Sequence, residues 1–426
     1  MLTTNKIGIT GMGIVSSIGD DVSSFCNSLR MGESGIKKVA CIKEPRASAV
    51  IAAELRKFSF LEFLDRFRNV PDEKLQTAKR LGQRAPFAIR TSIISAMEAW
   101  QNAQLFSNQP SPDRIGLIVA GQNSTQNYQY DLIPKFRENP EYLSPRYALE
   151  FLETNQVGTI SELFGIKGEG FMVGGASASG NVGIIKGYQL VLSGLVDLCM
   201  VVGVVADLSP MDIQGFINIG AMGGKKYINQ ADKACRPFDT KHEGFIYGQA
   251  SACVILESES SALKRGVHFQ AEIKGCSLNL DSNSSSDPNI NGETKAMLSA
   301  LGKAGLSASD IDYLNTHGSS SPLGDKTESE AISQVFGNHS SDLWLNSTKG
   351  LTGHCLYSAG VVESIATIEQ MKGGFLHPNK NLEEPIRKDL KFCGAEAIDH
   401  QINFAMSNSF GFGGINTSIV LKRGEN

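Results

Sequence analysis

The chain has 426 residues, 41% of them hydrophobic, with 40 Lys and Arg against 44 Asp and Glu for a formal net charge of −4. That composition excludes disorder and fibrous repeats, and at roughly 150 residues per domain it allows two or three structural units. The balanced charge gives no bulk attraction for nucleic acid or an anionic membrane, so an acidic partner must be met by a local basic patch.

In chain order, an apolar run from Lys6 to Thr10 predicts the first strand; no basic segment and hydrophobic core precede it, so no signal peptide is expected. Gly11-Met12-Gly13-Ile14-Val15-Ser16 follows. Ser16 stands where a dinucleotide fingerprint needs its third glycine, and no acidic residue closes a strand about 20 residues on, so a structural turn is expected there. The segment Arg56 to Arg84 reads as irregular, and it mixes aromatics with Lys74, Lys79, Arg80 and Arg84. Helical periodicity covers Phe87 to Gln104, Asn181 to Ser193 and Ala359 to Lys372. Strands are predicted at Ile115 to Ala120, Leu198 to Val205, Ala252 to Glu257, Gln270 to Ser277, Ile311 to Thr316, Phe404 to Met406 and Thr417 to Leu421.

Strands alternating with helices predict an α/β fold. The Asn181 to Ser193 helix is apolar on nearly every face, and Gly183 and Gly187, four apart, permit close approach of another helix. The apolar run Leu190 to Ala206 is shorter than the ~20 residues that span a bilayer and contains Asp197, so it reads as helix, turn and buried strand. Polar Ser277 to Thr294 is the expected linker. The strand Ile311 to Thr316, and the small-residue turn and helix after Asn346, repeat in outline the strand Ile115 to Ala120 and the turn and helix after Gly174. Two similar halves are expected, 1–260 and 261–426.

Eight cysteines (Cys26, Cys41, Cys199, Cys235, Cys253, Cys276, Cys355 and Cys393) include no Cys-x-x-Cys pair. They predict buried reduced thiols in a cytoplasmic protein. Three small-residue turns after strands could carry chemistry. One holds His317 in Asn315-Thr316-His317-Gly318-Ser319; another holds Lys349 and His354 in Ser347-Thr348-Lys349-Gly350-Leu351-Thr352-Gly353-His354. No third ligand sits at metal-binding spacing, so no metal is expected, and no Gly-x-x-x-x-Gly-Lys-[Ser/Thr] is present to cradle ATP. The third turn, Gly174-Gly175-Ala176-Ser177-Ala178-Ser179-Gly180, would put Ser177 off a helix N-terminus. A hydrolase nucleophile stays open for Ser177, although Ser179 stands where Gly-x-Ser-x-Gly needs its last glycine.

These turns, with Ile7-Gly8-Ile9-Thr10-Gly11-Met12-Gly13 at one end, Cys235-Arg236-Pro237-Phe238-Asp239 between, and Ser407-Asn408-Ser409-Phe410-Gly411-Phe412-Gly413-Gly414 at the other, resemble the β-ketoacyl-acyl-carrier-protein synthases of the thiolase superfamily over essentially the whole chain. The resemblance implies two βαβαβαββ halves stacked as an αβαβα sandwich, a homodimer, and an active site between the halves. It implies no cofactor of the protein's own, because the substrate arrives on the phosphopantetheine arm of an acyl carrier protein. His317, His354 and Lys349 fall on the family's catalytic positions, and Glu363 on a supporting glutamate. Ser319 and Ser321 fall on hydroxyl residues that bind the arm, Phe410 falls on the gating aromatic, and Phe412 is placed with them.

Three departures from the family pattern stand out. Ser177 replaces the family's nucleophilic Cys, and a hydroxyl without a dedicated strong base should not load an acyl chain. Gln122 and Asn123 would put amides into the acyl slot, costing a few kcal/mol if unpaired. Gly248-Gln249-Ala250 replaces Gly-Glu-Gly. The pattern resembles the decarboxylating ketosynthases of polyketide β-branching cassettes, which convert malonyl- to acetyl-carrier protein for a hydroxymethylglutaryl-synthase-like partner. Two alternatives remain: weak condensation through Ser177, and a non-catalytic partner like the chain-length factors. Lys74, Lys79, Arg80 and Arg84 are the expected docking patch for the acidic carrier protein, against the plainer reading of a solvated helix.

Overall fold

The computed structural model describes residues 6–39 and 51–425. Eleven strands form one mixed sheet: β1 (Ile7–Ser16), β2 (Ile115–Ala120), β3 (Gly170–Val173), β4 (Leu198–Gly203), β5 (Ala250–Ser258), β6 (Ala271–Leu280), β7 (Tyr313–Asn315), β8 (Trp344–Asn346), β9 (Lys391–Phe392), β10 (Phe404–Gly411) and β11 (Ile415–Arg423). Their spatial order is β9-β8-β7-β10-β11-β6-β1-β5-β4-β2-β3.

One topology occurs twice in that order. β1 pairs antiparallel with β5, β5 antiparallel with β4, and β4, β2 and β3 run parallel. In the same way β6 pairs antiparallel with β11, β11 antiparallel with β10, and β10, β7 and β8 run parallel. The two sets join where Gly8 and Ile9 of β1 face Glu272 and Ala271 of β6.

Four helices build the layers: α1 (Phe87–Asn102), α2 (Ser179–Leu192), α3 (Ile290–Ala304) and α4 (Ala359–Gly373). Helices α2 and α4 touch strands of both sets and each other, forming the middle layer, while α1 covers β1 and β5 and α3 covers β6 and β11. An α/β fold with αβαβα layering is therefore what the chain adopts. Of the fifteen residues of α4, thirteen are buried, as a helix between two sheet surfaces must be.

Several expectations are corrected. Gly11 to Ser16 is no turn but a continuation of β1. A Cβ on Gly11 would stand 2.4 Å from the Ala99 carbonyl oxygen and one on Gly13 2.1 Å from that of Ser95, so these glycines let α1 lie directly on the strand. The Arg56 to Arg84 segment contains helices at Phe60–Leu64 and Asp72–Gly82. Gly183 and Gly187 face the sheet, their would-be Cβ atoms 2.7 Å from the Ala120 Cβ and 2.8 Å from Val201 Cγ2. The close helix crossing lies instead at Gly180 and Gly360, where a Cβ would meet the Val361 and Asn181 backbone nitrogens at 2.7 and 2.5 Å. Ser277 to Thr294 does not link two units, since β6 runs to Leu280, α3 begins at Ile290, and the loop between them borders the cavity described below.

Among the described residues seven cysteines are free, six of them buried, and no helix is long and apolar enough to cross a membrane. Cys41 lies outside the described residues. The described residues also contain no cluster of three or more His, Cys, Asp or Glu that could hold a metal ion.

Candidate active site

A cavity of about 680 Å3 opens beside the middle layer, with Ser177, His317 and His354 in its wall. β3 delivers Ser177: after Val173 the chain turns at Gly174-Gly175, and Ala176 takes φ +47° before α2 begins. A non-glycine residue in that left-handed region is strained and persists only where its surroundings fix it. Here the Gly411 backbone presses on the turn, leaving 2.3 Å between its would-be Cβ and the Gly175 carbonyl oxygen.

The second half builds the same elbow 180 residues later. Leu356 has φ +50° and leads into α4 as Ala176 leads into α2. The Leu356 N–H donates to Nδ1 of His354 at 3.2 Å. With Nδ1 accepting, a neutral imidazole carries its proton on Nε2. That Nε2 faces Ser177 Oγ at 3.0 Å. His354 is therefore a hydrogen-bond donor toward the cavity and not a base for Ser177.

His317 follows β7 and faces His354, ring centroids 5.5 Å apart. Its turn is fixed by Glu328, whose two carboxylate oxygens accept the His317 and Gly318 N–H groups at 2.8 and 2.7 Å. Burial first, then the Lys349 ammonium, hold both histidines well below the usual imidazole range, so both are neutral at pH 7. Lys349 and Glu363 do not reach the cavity. They form a buried ion pair behind it, and Ser409 Oγ donates to the free Glu363 oxygen at 3.4 Å. Burial raises the Glu363 carboxyl above the ordinary range against the pull of Lys349.

Ser319, Ser321, Phe410, Phe412 and Gln122 all line the cavity. The two serine hydroxyls share a hydrogen bond of 2.9 Å. Phe410 is buried with its ring 5.6 Å from that of His317, whereas Phe412 is 38% exposed. Gln122 lies against the elbow, its Oε1 2.6 Å from a would-be Cβ on Gly174. Asn123, expected beside it, is exposed and has φ +50°. The left-handed turn aims the Ser124 N–H at Glu153 and carries the Asn123 side chain away from the cavity.

The basic residues of the expected docking patch separate into two pairs. Lys74 donates to the Leu163 carbonyl at 2.9 Å and Arg80 pairs with Glu162 at 2.6 Å, so both serve contacts within the chain. Lys79 and Arg84 are exposed. Gln249, which stands where the resemblance implies a glutamate, has a use for its amide: Oε1 accepts the Leu55 N–H at 2.9 Å and Nε2 donates to the Tyr247 hydroxyl at 3.2 Å. That hydroxyl in turn donates to the Ala206 carbonyl. A carboxylate could not donate to the tyrosine.

Sequence reasoning passed over Glu328. Its signal was an acidic pair three apart, Asp325 and Glu328, on the face of the Pro322–Phe336 helix that also buries Ala331, Ile332 and Val335. A charged residue on an apolar face must have found partners.

Twin halves, strained elbows at equivalent positions and two neutral imidazoles on one cavity wall, one of them against the Ser177 hydroxyl, define a two-half α/β enzyme scaffold. Comparison with known proteins gives the family. Residues 4–262 match the beta-ketoacyl synthase N-terminal domain and residues 270–383 the C-terminal domain, and the chain belongs to the beta-ketoacyl synthase family. It is 36% identical over 417 residues to the polyketide biosynthesis malonyl-ACP decarboxylase PksF of Bacillus subtilis strain 168, covering 98% of this chain and 96% of that one. It is 32% identical to the 3-oxoacyl-[acyl-carrier-protein] synthase 2 of Staphylococcus aureus strain COL over the full length of both. A beta-ketoacyl synthase from Burkholderia phymatum STM815 superposes with a TM-score of 0.82 at 26% identity, covering 98% of this chain and 99% of that one. A type II polyketide ketosynthase, solved in complex with its acyl carrier protein, shares the fold at a TM-score of 0.86 and 22% identity, covering 99% and 100%.

Proposed function

We propose that the protein decarboxylates malonyl-acyl carrier protein to acetyl-acyl carrier protein and does not condense acyl chains. The observation that carries this reading is the 3.0 Å contact from His354 Nε2 to Ser177 Oγ together with the Leu356 N–H on Nδ1. It denies Ser177 the use of His354 as a proton acceptor, so the hydroxyl is not activated for loading, yet supplies a donor for the thioester oxygen. Loss of carbon dioxide puts negative charge on that oxygen. Donors aimed at it are worth about 3 kcal/mol each, not additively. His317 and His354 take that role, Lys349 and Glu363 position them electrostatically, and Ser177 lines the site.

Ser319, Ser321, Phe410 and Phe412, which line the cavity, would receive the phosphopantetheine arm that carries the substrate. The relative that acts on malonyl-ACP supports the reaction. Supply of acetyl groups to a hydroxymethylglutaryl-synthase-like enzyme in β-branching, a homodimeric state, halves divided near residue 260 and a cytoplasmic location complete the reading. Free thiols throughout the described chain suit that location.

Malonyl-carrier protein incubated without an acyl primer tests the proposal by intact-protein mass spectrometry. The wild type should release carbon dioxide and leave acetyl-carrier protein with no adduct on Ser177. His317→Ala and His354→Ala should each slow this by roughly a hundredfold or more; full retention of rate by either variant removes that histidine from the mechanism.

A further inference from the structure

Decarboxylation alone does not make acetyl. Breaking the C–C bond leaves its electron pair on the thioester as an enolate, and the product needs a new C–H bond that a condensing enzyme never has to make. On that reading His317 and His354 serve the oxygen of the enolate, His354 through the N–H on its Nε2. The carbon needs a separate acid.

Glu293, in the first turn of α3, lines the same cavity as Ser177, His317 and His354. It is 1% exposed, and its Oε2 has no hydrogen-bond partner. A buried carboxyl with an unpaired oxygen on a cavity wall is costly unless it is neutral or put to use. Its surroundings favour the neutral acid. Facing it are Asp281 of the loop after β6 and Glu328 of the Pro322–Phe336 helix, with His317 beyond that glutamate and Asp287 farther along the same cavity; the nearby polar groups of β10 and β11 are the amides Asn408 and Asn416. Burial, then Glu328 and Asp281, push its carboxyl well above the ordinary range and so favour the protonated acid. Glu328, whose charge acts on Glu293, also holds the His317 and Gly318 N–H groups, so it stands between Glu293 and the turn that presents His317.

Resting on the decarboxylase reading, we infer that Glu293 is the proton source of the reaction, delivering its proton through cavity water to the enolate carbon. In the step, the bond from the carboxylate carbon to the α-carbon breaks and carbon dioxide leaves. The Glu293 O–H bond then breaks and its proton forms the new C–H bond through a water relay. Solvent water at the cavity mouth, past Asp281 and Asp287, reprotonates Glu293, so one proton is consumed per turnover. A cavity of about 680 Å3 has room for the substrate arm and several waters at about 30 Å3 each.

By microscopic reversibility the enzyme must also exchange the methyl hydrogens of acetyl-carrier protein with deuterium oxide, Glu293 carboxylate acting as the base. Deuterium uptake is read by mass spectrometry, beside carbon dioxide release from malonyl-carrier protein by the same preparations. In the wild type, exchange should rise with pH through the titration of the acid and then level off. Glu293→Gln should slow exchange roughly a hundredfold and flatten that profile, and Glu293→Asp should restore the pH dependence at a lower rate. A wild type that decarboxylates but shows no exchange, a pH-independent exchange rate, or wild-type exchange by Glu293→Gln would overturn the inference while leaving the decarboxylase reading intact. A wild type that releases no carbon dioxide overturns that reading instead. Should Glu293→Gln fail to fold, the wild-type pH profile decides alone.

Discussion

On the proposed reading, one atom at Ser177 redirects the site. A thiol at this elbow, off the N-terminus of the fourteen-residue α2, would meet the conditions that lower a Cys pKa: a helix dipole and a neighbouring donor. A hydroxyl there stays protonated. Ser177→Cys should therefore gain a nucleophile without any other change, and mass spectrometry after incubation with an acyl-carrier protein should find an acyl adduct on residue 177 that the wild type lacks. Failure to acylate, with the fold intact, would mean that the cavity no longer admits acyl chains and that Gln122 matters as much as the missing sulfur. The histidines were legible at this scale as residues in small-residue turns. The tautomer of His354 was not, since it depends on an N–H from Leu356 whose direction follows from a positive φ.

At the scale of elements, the central helices cross at glycine. Gly180 and Gly360 bring backbone against backbone, which is why a Cβ at either has only 2.7 or 2.5 Å to the nearest atom. Gly360→Ala should cost about 1–3 kcal/mol in urea unfolding, because the neighbour is main chain and cannot rotate aside. It should also reduce catalysis, since α2 and α4 carry the elbows that set Ser177 and Leu356. Gly158→Ala, in the Thr154–Phe164 helix with nothing within 4 Å of the new methyl, should instead gain about 0.5–1 kcal/mol. Equal effects of the two substitutions would contradict the crossing. The sequence placed the long helices to within a few residues, since their apolar periods are strong, but gave the close approach to Gly183 and Gly187. Glycine spacing reports that a helix can be approached, not whether a strand or a helix does so.

Across the whole molecule, buried titrating groups tie stability to pH. His377 is fully buried, its Nδ1 donating to the Pro378 carbonyl at 3.0 Å and its Nε2 beside the Thr348 hydroxyl at 3.1 Å, and burial lowers its pKa from 6.5 to about 4. A depressed histidine favours the folded state above the unfolded value, and that contribution is lost as pH falls from about 6.5 toward about 4, by up to about 3 kcal/mol. Glu98 and Glu328, raised to about 8 and about 7, act in the opposite sense above pH 4.5. His377→Asn, which keeps a donor near Pro378, should be less stable at pH 7 yet lose less stability between pH 7 and pH 5 than the wild type. Parallel pH profiles would exclude His377.

The proposed carrier-protein docking would be a surface property of the same whole. Lys79 and Arg84 remain exposed, so Lys79→Glu with Arg84→Glu should raise KM for malonyl-carrier protein at low salt and leave kcat little changed, the difference shrinking as salt screens it. Lys74→Glu should act on stability instead, because Lys74 holds the Leu163 carbonyl. An unchanged KM in the double variant removes the patch.

What the sequence determined by itself was the inventory: alternating strands, long apolar helices and two related halves from local periodicity, Ser177, His317, Lys349 and His354 from residue chemistry at turns, and the supporting residues such as Glu363, Ser319, Ser321 and Phe410 from the family resemblance. The tertiary structure decided which of those side chains meet. It put Asn123 outside the cavity, engaged Lys74 and Arg80 within the chain, fixed the proton of His354 on Nε2, and buried Glu293 on the cavity wall. The reason is physical: burial, tautomer and charge state are set by atoms far apart in the chain, and pattern along the chain carries no record of which distant donor or carboxylate will stand beside a given group.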